Sequence, residues 1–205
     1  ALSYSIPAGE DTTFSFTVDV SPMAVTGHDI LNARLVGTEV ASGTPIEINN
    51  ALTPDSWTVQ ERPLVVMDSV TVSPSVASTG QSDLSGRIII TNQAATYRAA
   101  AQIDSVDLNF LLGIDNVDTN FVITRLTPPV LPITLTPGSS QAIDFSISAN
   151  SNALDTTFTV DGFLSYTDVN DGDRTDVTTS ALQGLLTVES TSSMNILSFT
   201  IDPDT

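Results

Sequence analysis

The sequence contains no cysteine and no lysine, and its one histidine is His28. The lack of cysteine excludes disulfides and thiolate metal sites. The lack of lysine excludes Schiff-base chemistry and the lysine isopeptide crosslinks that harden some surface proteins. A nucleophile-base triad needs a base beside its nucleophile, and His28 is the only histidine that could serve. No glycine-rich loop for binding phosphate is present. We therefore expect that the chain is not an enzyme.

Basic residues are scarce: six arginines face 24 acidic residues, for a formal net charge of −18. Such a field repels nucleic acid and anionic lipid, so we expect neither as a partner. No run approaches the roughly 18 consecutive apolar residues of a membrane-spanning helix, so we expect no membrane insertion. A hydrophobic content of 40% argues against disorder and predicts a folded protein.

What the sequence does contain is an internal repeat of about 129 residues. Gly138 in Thr136–Gly138 follows Gly9 in Pro7–Gly9 by 129 positions. At this offset, and without any gap, further positions match and keep their apolar character: 14–18 on 143–147, Leu35 on Leu164, 38–40 on 167–169, 57–60 on 186–189 and 69–74 on 198–203. A match in one register over about 70 residues indicates tandem copies of one module.

The repeat predicts the domain boundaries. Residues 1–63 form the latter part of an incomplete module, 64–190 form a complete module, and 191–205 form the opening strand of a following module or a strand donated to a neighbour. An incomplete sandwich leaves a strand edge and an apolar face uncovered, so we expect neighbouring modules or copies of the chain to cover them. The tail residues expected to pair with such a neighbour are Met194, Ile196, Leu197, Phe199 and Ile201.

Alternation of apolar and polar residues with period two predicts strands throughout. Phe158–Tyr166 alternates in this way, with Asp161 and Ser165 on the face opposite the apolar residues, and Arg87–Thr91 is expected to be a strand buried on both faces. Turns separate the runs, and the complete module is predicted to have strands near 66–74, 83–92, 103–112, 119–126, 131–135, 141–149, 156–168 and 175–189. This number of short strands predicts an all-β fold of tandem immunoglobulin-like β-sandwich modules.

Three motifs in the first part of the complete module carry a resemblance to a known family. The runs Val72–Pro74, Ser78–Gln81 and Ile88–Asn92 resemble the opening of bacterial cell-adhesion-related immunoglobulin-like domains. Thr136–Ser140 followed by Phe145–Ile147 is similar to strands of many bacterial surface-protein repeats. The resemblance implies an extracellular or cell-surface location and a structural role. The chain would then build a filament, stalk or surface layer from modules stacked end to end.

One acidic turn is a candidate calcium site, because calcium prefers several oxygen ligands on a short loop. Its candidate ligands are Asp168, Asn170, Asp171, Asp173 and Asp176. Gly172 stands where an EF-hand loop places its third ligand, and no glutamate closes the loop. An Asp-Gly hairpin turn without a cofactor is the other interpretation.

A binding module is the alternative function: an adhesin or carbohydrate-binding domain, with or without calcium, that binds a surface ligand or glycan. Its ligand is expected at loops of one sandwich end, in the loop Leu112–Thr119 and the turn Asp168–Asp173. Trp57 aligns with Leu186, which favours a core or module-junction position over a sugar platform. His28 aligns with Thr157 and is expected in a loop or at a strand edge. The sequence does not exclude a pair of carboxylates for glycoside hydrolysis, although most acids are expected at turns and solvent-facing positions.

Overall fold

The computed structural model describes residues 4–49, 54–127, 130–195 and 197–198. The chain divides into two compact units, Ala1–Val59 and Gln60–Thr205, which are called unit 1 and unit 2 below. Apart from one 3-10 helix of three residues, Asp118–Asn120, the regular structure in these ranges is strand. The predicted all-β fold class is confirmed. Within the described ranges, no helix is long and apolar enough to cross a membrane.

Unit 1 contains four short strands: β1 (Gly27–Leu31), β2 (Leu35–Thr38), β3 (Pro45–Ile48) and β4 (Asp55–Val59). Strand β1 pairs antiparallel with β4, and β2 pairs antiparallel with β3, so that two separate two-stranded sheets result. No described residue of unit 1 is buried. A two-stranded sheet is marginally stable without further packing, and the described part of unit 1 forms no core of the kind that a β-sandwich needs.

Unit 2 is a two-sheet sandwich built from eleven strands in the described ranges. In chain order they are β5 (Val65–Ser73), β6 (Val76–Ser78), β7 (Leu84–Asn92), β8 (Ala101–Leu112), β9 (Asp115–Asn116), β10 (Phe121–Thr127), β11 (Ile133–Leu135), β12 (Ser140–Ala149), β13 (Thr156–Asp168), β14 (Arg174–Val177) and β15 (Gly184–Glu189). One sheet has the order β10-β12-β7-β5. The other has the order β11-β8-β13-β15-β6, with β9 paired to β8 and β14 paired to β13.

The core of unit 2 lies between the two sheets and follows from the period-two alternation. On β13, Phe158, Val160 and Leu164 are fully buried. Opposite them, β7 buries Ile88 and Ile90 completely. These inward side chains belong to a single cluster that both sheets share.

Three details differ from the predictions. Strand β7 is buried on one face only, because Ile89 is 36% exposed on the solvent side of its sheet. The strand predicted at 175–189 is two strands, β14 and β15, separated by Thr178–Gln183. Asp161 and Ser165, expected on a solvent-facing surface, are buried. The boundaries 1–63, 64–190 and 191–205 remain predictions.

Candidate functional site

The strand pairing of unit 1 repeats that of unit 2 residue for residue. The ladder between β1 and β4 has the same register as the ladder between β13 and β15, and β2–β3 has the register of β13–β14. At the offset of 129 the equivalent pairs are Gly27↔Val59 with Thr156↔Val188, and Leu35↔Ile48 with Leu164↔Val177. Unit 1 therefore contains the counterparts of β13, β14 and β15.

The turns repeat as well. Gly43 and Gly172, 129 positions apart, have φ of +72° and +79°, values that glycine adopts without steric cost. The N–H of Gly43 donates to the carbonyl of Glu39 at 2.8 Å, and that of Gly172 donates to the carbonyl of Asp168 at 3.0 Å. The similarity of the two units thus extends to their backbone hydrogen bonds.

The most exposed apolar surface of unit 1 corresponds to a core strand of unit 2. Phe14, Phe16, Val18 and Val20 are 51%, 85%, 53% and 54% exposed, whereas their counterparts are 0–4% exposed: Ile143, Phe145, Ile147 and Ala149. In unit 2 these counterparts lie on β12, which is paired on both sides by β7 and β10. Residues 10–21 of unit 1 form no strand. We call Phe14, Phe16, Val18 and Val20 the uncovered face.

Unit 1 departs from unit 2 at three positions that face the core in the complete module. Asp29, Ala33 and Gly37 take the places of Phe158, Gly162 and Tyr166, all of which are buried in unit 2. Any segment that covers unit 1 must accommodate these replacements.

The acidic turn of unit 2 is arranged around an arginine. The Arg62 guanidinium contacts Asp173 and lies 3.2 Å from the Asp171 carboxylate. Asp168 is 5% exposed and accepts the N–H of Asn170 at 2.9 Å, and Asp171 accepts the N–H of Asp173 at 2.9 Å. The hydrogen bond with Asp173 and the charges of both acids raise the pKa of Arg62 above its ordinary value.

Arg62 therefore places a positive charge beside two of the predicted calcium ligands, Asp171 and Asp173. Asp176 lies outside this contact set and pairs with Arg174 at 3.1 Å. Within the described ranges, no group of three or more histidine or acidic residues is arranged to hold a metal ion. Calcium binding by Asp168, Asn170, Asp171, Asp173 and Asp176 stays a prediction that a titration can test.

Replacing Arg62 with glutamine is expected to strengthen calcium binding to the protein roughly fivefold, because the change removes a competing charge close to two carboxylates. Isothermal titration with calcium at low ionic strength measures the effect. Arg87→Gln is the matched control, since Arg87 pairs with Asp144 on the other sheet. Equal calcium binding by wild type and both variants would show that the turn is a hairpin with no cation site.

The two loops predicted to bind one ligand lie at opposite ends of unit 2. Strand β8 pairs with β13 from Leu111↔Thr159 to Ala101↔Asp168. The loop Leu112–Thr119 adjoins the first of these pairs, and the turn Asp168–Asp173 adjoins the second. Ten strand residues separate them, which is about 30 Å. A single small ligand therefore does not reach both, and the expectation of one shared binding end was wrong.

A groove of about 430 Å³ lies beside the loop Leu112–Thr119. The other five arginines each pair with a carboxylate. Arg125, in the groove, makes no hydrogen bond or ion pair with the described residues, and its Nε atom is buried without a partner. Polar and aromatic side chains surround it: Asp107, Asn109, Asp118, Phe145 and Phe163.

The predicted donor strand of the tail is described only in part. Met194 and Leu197 are 97% and 95% exposed, and neither belongs to a strand. Ile196, Phe199 and Ile201 lie outside the described residues. Pairing of this tail with a neighbour stays a prediction.

Two buried polar side chains were not identified as important from the sequence. Asn92 is fully buried and makes three side-chain hydrogen bonds: Oδ1 accepts the N–H of Leu64 at 3.2 Å, and Nδ2 donates to the carbonyls of Ala99 and Leu135 at 3.0 and 3.1 Å. It therefore ties three segments of unit 2 together. The signal in the sequence was an asparagine ending a run of isoleucines.

The second buried polar side chain is that of Asp161, which binds the segment between β14 and β15. Its Oδ1 accepts the N–H groups of Gly162 and Ser180, both at 2.8 Å, and its Oδ2 accepts a hydrogen bond from Gln183. Burial raises the pKa of Asp161, but the hydrogen bonds from Gln183, Ser180 and Gly162 lower it by more, so the pKa falls below its ordinary value. This carboxylate is structural, and it explains why one predicted strand is broken in two.

His28 and Trp57 both lie on the β1–β4 ladder of unit 1. His28 Nδ1 lies 2.8 Å from the Thr58 hydroxyl, in the place of the Thr157–Thr187 hydroxyl contact of unit 2. Trp57 is half-buried.

Comparison with known proteins identifies no family. No protein-family model and no curated protein matches the chain. The seventh type I cohesin of ScaB from Pseudobacteroides cellulosolvens is 14% identical over 64% of this chain and 97% of the cohesin, with a TM-score of 0.34. A family 123 glycoside hydrolase from Clostridium perfringens is 11% identical over 60% of this chain and 23% of the hydrolase, with a TM-score of 0.37. AvmM, which catalyses macrocyclization in alchivemycin A biosynthesis, is 11% identical over 67% and 94%, with a TM-score of 0.40. At these scores the likenesses bear on neither function nor partners.

Proposed function

We propose that this chain is a section of an extracellular structural array: β-sandwich modules joined end to end, which build or space a filament, stalk or cell-surface layer. The observation that carries the proposal is the common strand register of units 1 and 2 at an offset of 129 residues. Two successive stretches of one chain that fold alike are the basic feature of repeat architectures, in which each unit packs on its neighbours.

A structural role also agrees with the chemistry of the surface. Two acids of the turn Asp168–Asp173, Asp171 and Asp173, pair with Arg62, and the buried Asp161 accepts backbone N–H groups. The net charge of −18 favours solubility and discourages association with nucleic acid or anionic membranes. We propose no enzymatic activity, and we place the protein outside the cell or at its surface.

The test is a deletion of one complete period from the native protein. Removing residues 60–188 joins Val59 to Glu189, which is the counterpart of Gln60, so the register of the array is kept. Electron microscopy of the purified native assembly should show it shortened by one module, about 40 Å for strands of this length, with the remaining modules folded. An assembly of unchanged length, or one that collapses into aggregates, would contradict a spacer role.

A binding module remains the second candidate, and the groove around Arg125 is the observation that favours it. A guanidinium that has no partner among the described residues, beside carboxylate and amide groups, can form hydrogen bonds with sugar hydroxyls, and Phe163 offers an apolar wall. A glycan panel with the wild type and Arg125→Ala tests this. Binding that disappears in Arg125→Ala but persists in Arg34→Ala, a variant in unit 1, supports a glycan site. Absence of glycan binding by the wild type would contradict the binding-module function.

A further inference from the structure

The strand β10 forms an open edge of the sheet β10-β12-β7-β5 in unit 2. We infer that β10 is a latent interface between copies of this chain, in which two sheets join edge to edge, and that the Arg125 side chain keeps this interface closed. The inference goes beyond the proposed function, because it concerns unit 2 alone and holds whether or not the chain is part of an array.

Strand β10 is the one long edge strand in the described part of unit 2 that is left open. It has seven residues and pairs with no described strand except β12. The opposite edge of the same sheet, β5, is covered by the segment 178–183. There the N–H of Ala181 donates to the carbonyl of Met67 at 2.8 Å, and the N–H of Val70 donates to a carbonyl of the segment at 2.8 Å.

The outer strands of the other sheet are short. Strands β6, β9, β11 and β14 have only two to four residues each. Short or covered edges offer little to a second chain, whereas a long open edge is a template for pairing with another strand. Among the described strands of unit 2, β10 is therefore the edge that most needs protection.

The main chain of β10 has unpaired groups on its open side. The N–H of Asn150 donates to the carbonyl of Asn120 at 2.9 Å, which directs Asn120 toward β12. In an antiparallel pair, the N–H and C=O groups of successive residues point to alternate sides of the strand. Those of Phe121, Ile123 and Arg125 therefore point away from β12, where a strand of another molecule can form hydrogen bonds with them.

The sequence of β10 favours pairing with an identical strand. Phe121–Thr127 contains only apolar residues and threonine apart from one charge, Arg125. Segments of this length with high β-propensity and little charge are the ones that pair with copies of themselves. A second copy of the chain is thus the partner that the strand favours. Arg125 and the prolines that follow the strand, Pro128 and Pro129, are residue types that oppose such pairing.

Arg125 occupies an inward-facing position of β10. Its partner on β12 is Phe145, which is 2% exposed and belongs to the core. Ile123, two positions earlier on the same face of β10, lies opposite Ile147, which is completely buried. An apolar residue is the usual choice at such a position, and an inward-pointing charge is one of the features by which natural sheets avoid edge-to-edge pairing.

The guanidinium of Arg125 lies at the groove between β10 and β8. Its Nε atom is buried without a partner, and the acids that line the groove, Asp107 and Asp118, form no ion pair with it. A second strand along β10 would cover the opening and take this charge out of water. A buried ion without a partner costs more free energy than one or two main-chain hydrogen bonds return. The edge therefore stays unpaired while the charge is present.

A bulge at the same edge acts in the same direction. The pairing of β10 with β12 shifts between Arg125 and Thr127, so Leu126 is an extra residue on β10. A bulge bends its strand and twists an edge away from an incoming partner. The straight part of the edge is thus 121–125, and Arg125 lies at its end.

The experiment replaces Arg125 with methionine in the full chain. Methionine keeps a long, flexible apolar side chain and removes the charge. In sedimentation velocity, Arg125→Met should associate at concentrations roughly tenfold or more below those at which the wild type does, because the ion no longer has to be covered. The net charge changes from −18 to −19, so general repulsion between copies predicts the opposite result.

Hydrogen exchange locates the contact. In Arg125→Met, the amides of the peptide 121–127 should exchange more slowly as the protein concentration rises, because the open N–H groups at positions 123 and 125 gain acceptors. In the wild type, the exchange of this peptide should not depend on concentration.

Two control variants separate the charge at the edge from charge in general. Arg87→Met removes an arginine from β7, an inner strand of the same sheet, where Arg87 pairs with Asp144. It should associate no more than the wild type. Arg125→Lys keeps a charge at the edge and should also behave as the wild type.

Three results would overturn the inference. They are an Arg125→Met variant that associates no more than the wild type, equal association of Arg125→Lys and Arg125→Met, and association that leaves the exchange of the peptide 121–127 unchanged. Far-UV circular dichroism verifies that each variant is folded. Arg125→Val, which introduces a residue type that favours strands, is the second variant without the charge and should associate in the same way.

Discussion

Replacing Asn92 with alanine is expected to lower the free energy of unfolding of unit 2 by about 3–5 kcal/mol. The change leaves the N–H of Leu64 and the carbonyls of Ala99 and Leu135 without their side-chain partner. Each buried backbone group left unsatisfied costs about 1–3 kcal/mol, and partial access of water reduces the sum. Urea unfolding at neutral pH, followed by far-UV circular dichroism, measures the loss.

Asn116→Ala is the matched control for that experiment. Asn116 is exposed, and its amide donates to Asp118 at 2.8 Å, so its loss is expected to cost less than about 1 kcal/mol. Equal and small effects of the two substitutions would mean that Asn92 does not tie Leu64, Ala99 and Leu135 together in solution.

Replacing Asp161 with alanine is expected to destabilise unit 2 by about 2–4 kcal/mol. The change leaves the buried N–H groups of Gly162 and Ser180 and the side-chain amide of Gln183 without their acceptor. Asp161→Asn keeps an acceptor oxygen for the backbone and should cost less, about 1–2 kcal/mol. Urea unfolding at pH 7 gives both values. An alanine variant as stable as the asparagine variant would contradict the role of this carboxylate.

The same carboxylate predicts a dependence of stability on pH. Because the pKa of Asp161 is lower in the folded protein than in the unfolded chain, its ionised form stabilises the fold. This contribution is fully present above the unfolded pKa of about 3.9 and is lost as the pH falls through the lower, folded pKa.

The stability of Asp161→Asn should therefore fall less than that of the wild type between pH 5 and pH 2. Unfolding in urea at several pH values in this range measures the difference. Asp115→Asn, at an exposed position where the side chain makes no hydrogen bond with the described residues, serves as the control and should follow the wild type. Parallel curves for all three proteins would contradict the downward shift of the Asp161 pKa.

Strand positions in unit 2 were predictable because turns and period-two alternation act locally. Phe158, Val160 and Leu164 face the core as their spacing requires, and β12 begins and ends within one residue of the predicted range 141–149. The repeat added information that single strands lack. A common offset predicted equivalent folding of two stretches, and the two stretches share their strand register.

Polar residues whose roles depend on distant partners were not predictable in the same way. Asp161 has the spacing of a solvent-facing residue, and only the return of Ser180 and Gln183 over that face buries it. Arg62, the counter-charge of the acidic turn, was not predictable from the local pattern because it lies more than one hundred positions earlier in the sequence than Asp173. The prediction that two loops share a ligand did not take the direction of the strands into account. The antiparallel pairing of β8 with β13 places the two loops at opposite ends of unit 2.

The common register of the two units is tested most directly by engineered disulfides, for which the cysteine-free sequence provides a clean background. Leu35→Cys with Ile48→Cys in unit 1 should crosslink under mild oxidation as readily as Leu164→Cys with Val177→Cys in unit 2, because both pairs are directly opposite in their ladders. Crosslinking is read from the mobility of oxidised protein on denaturing gels. If Leu35→Cys instead crosslinks preferentially with Glu47→Cys, the strand register of unit 1 differs from that of unit 2 and the account of a repeated module is contradicted.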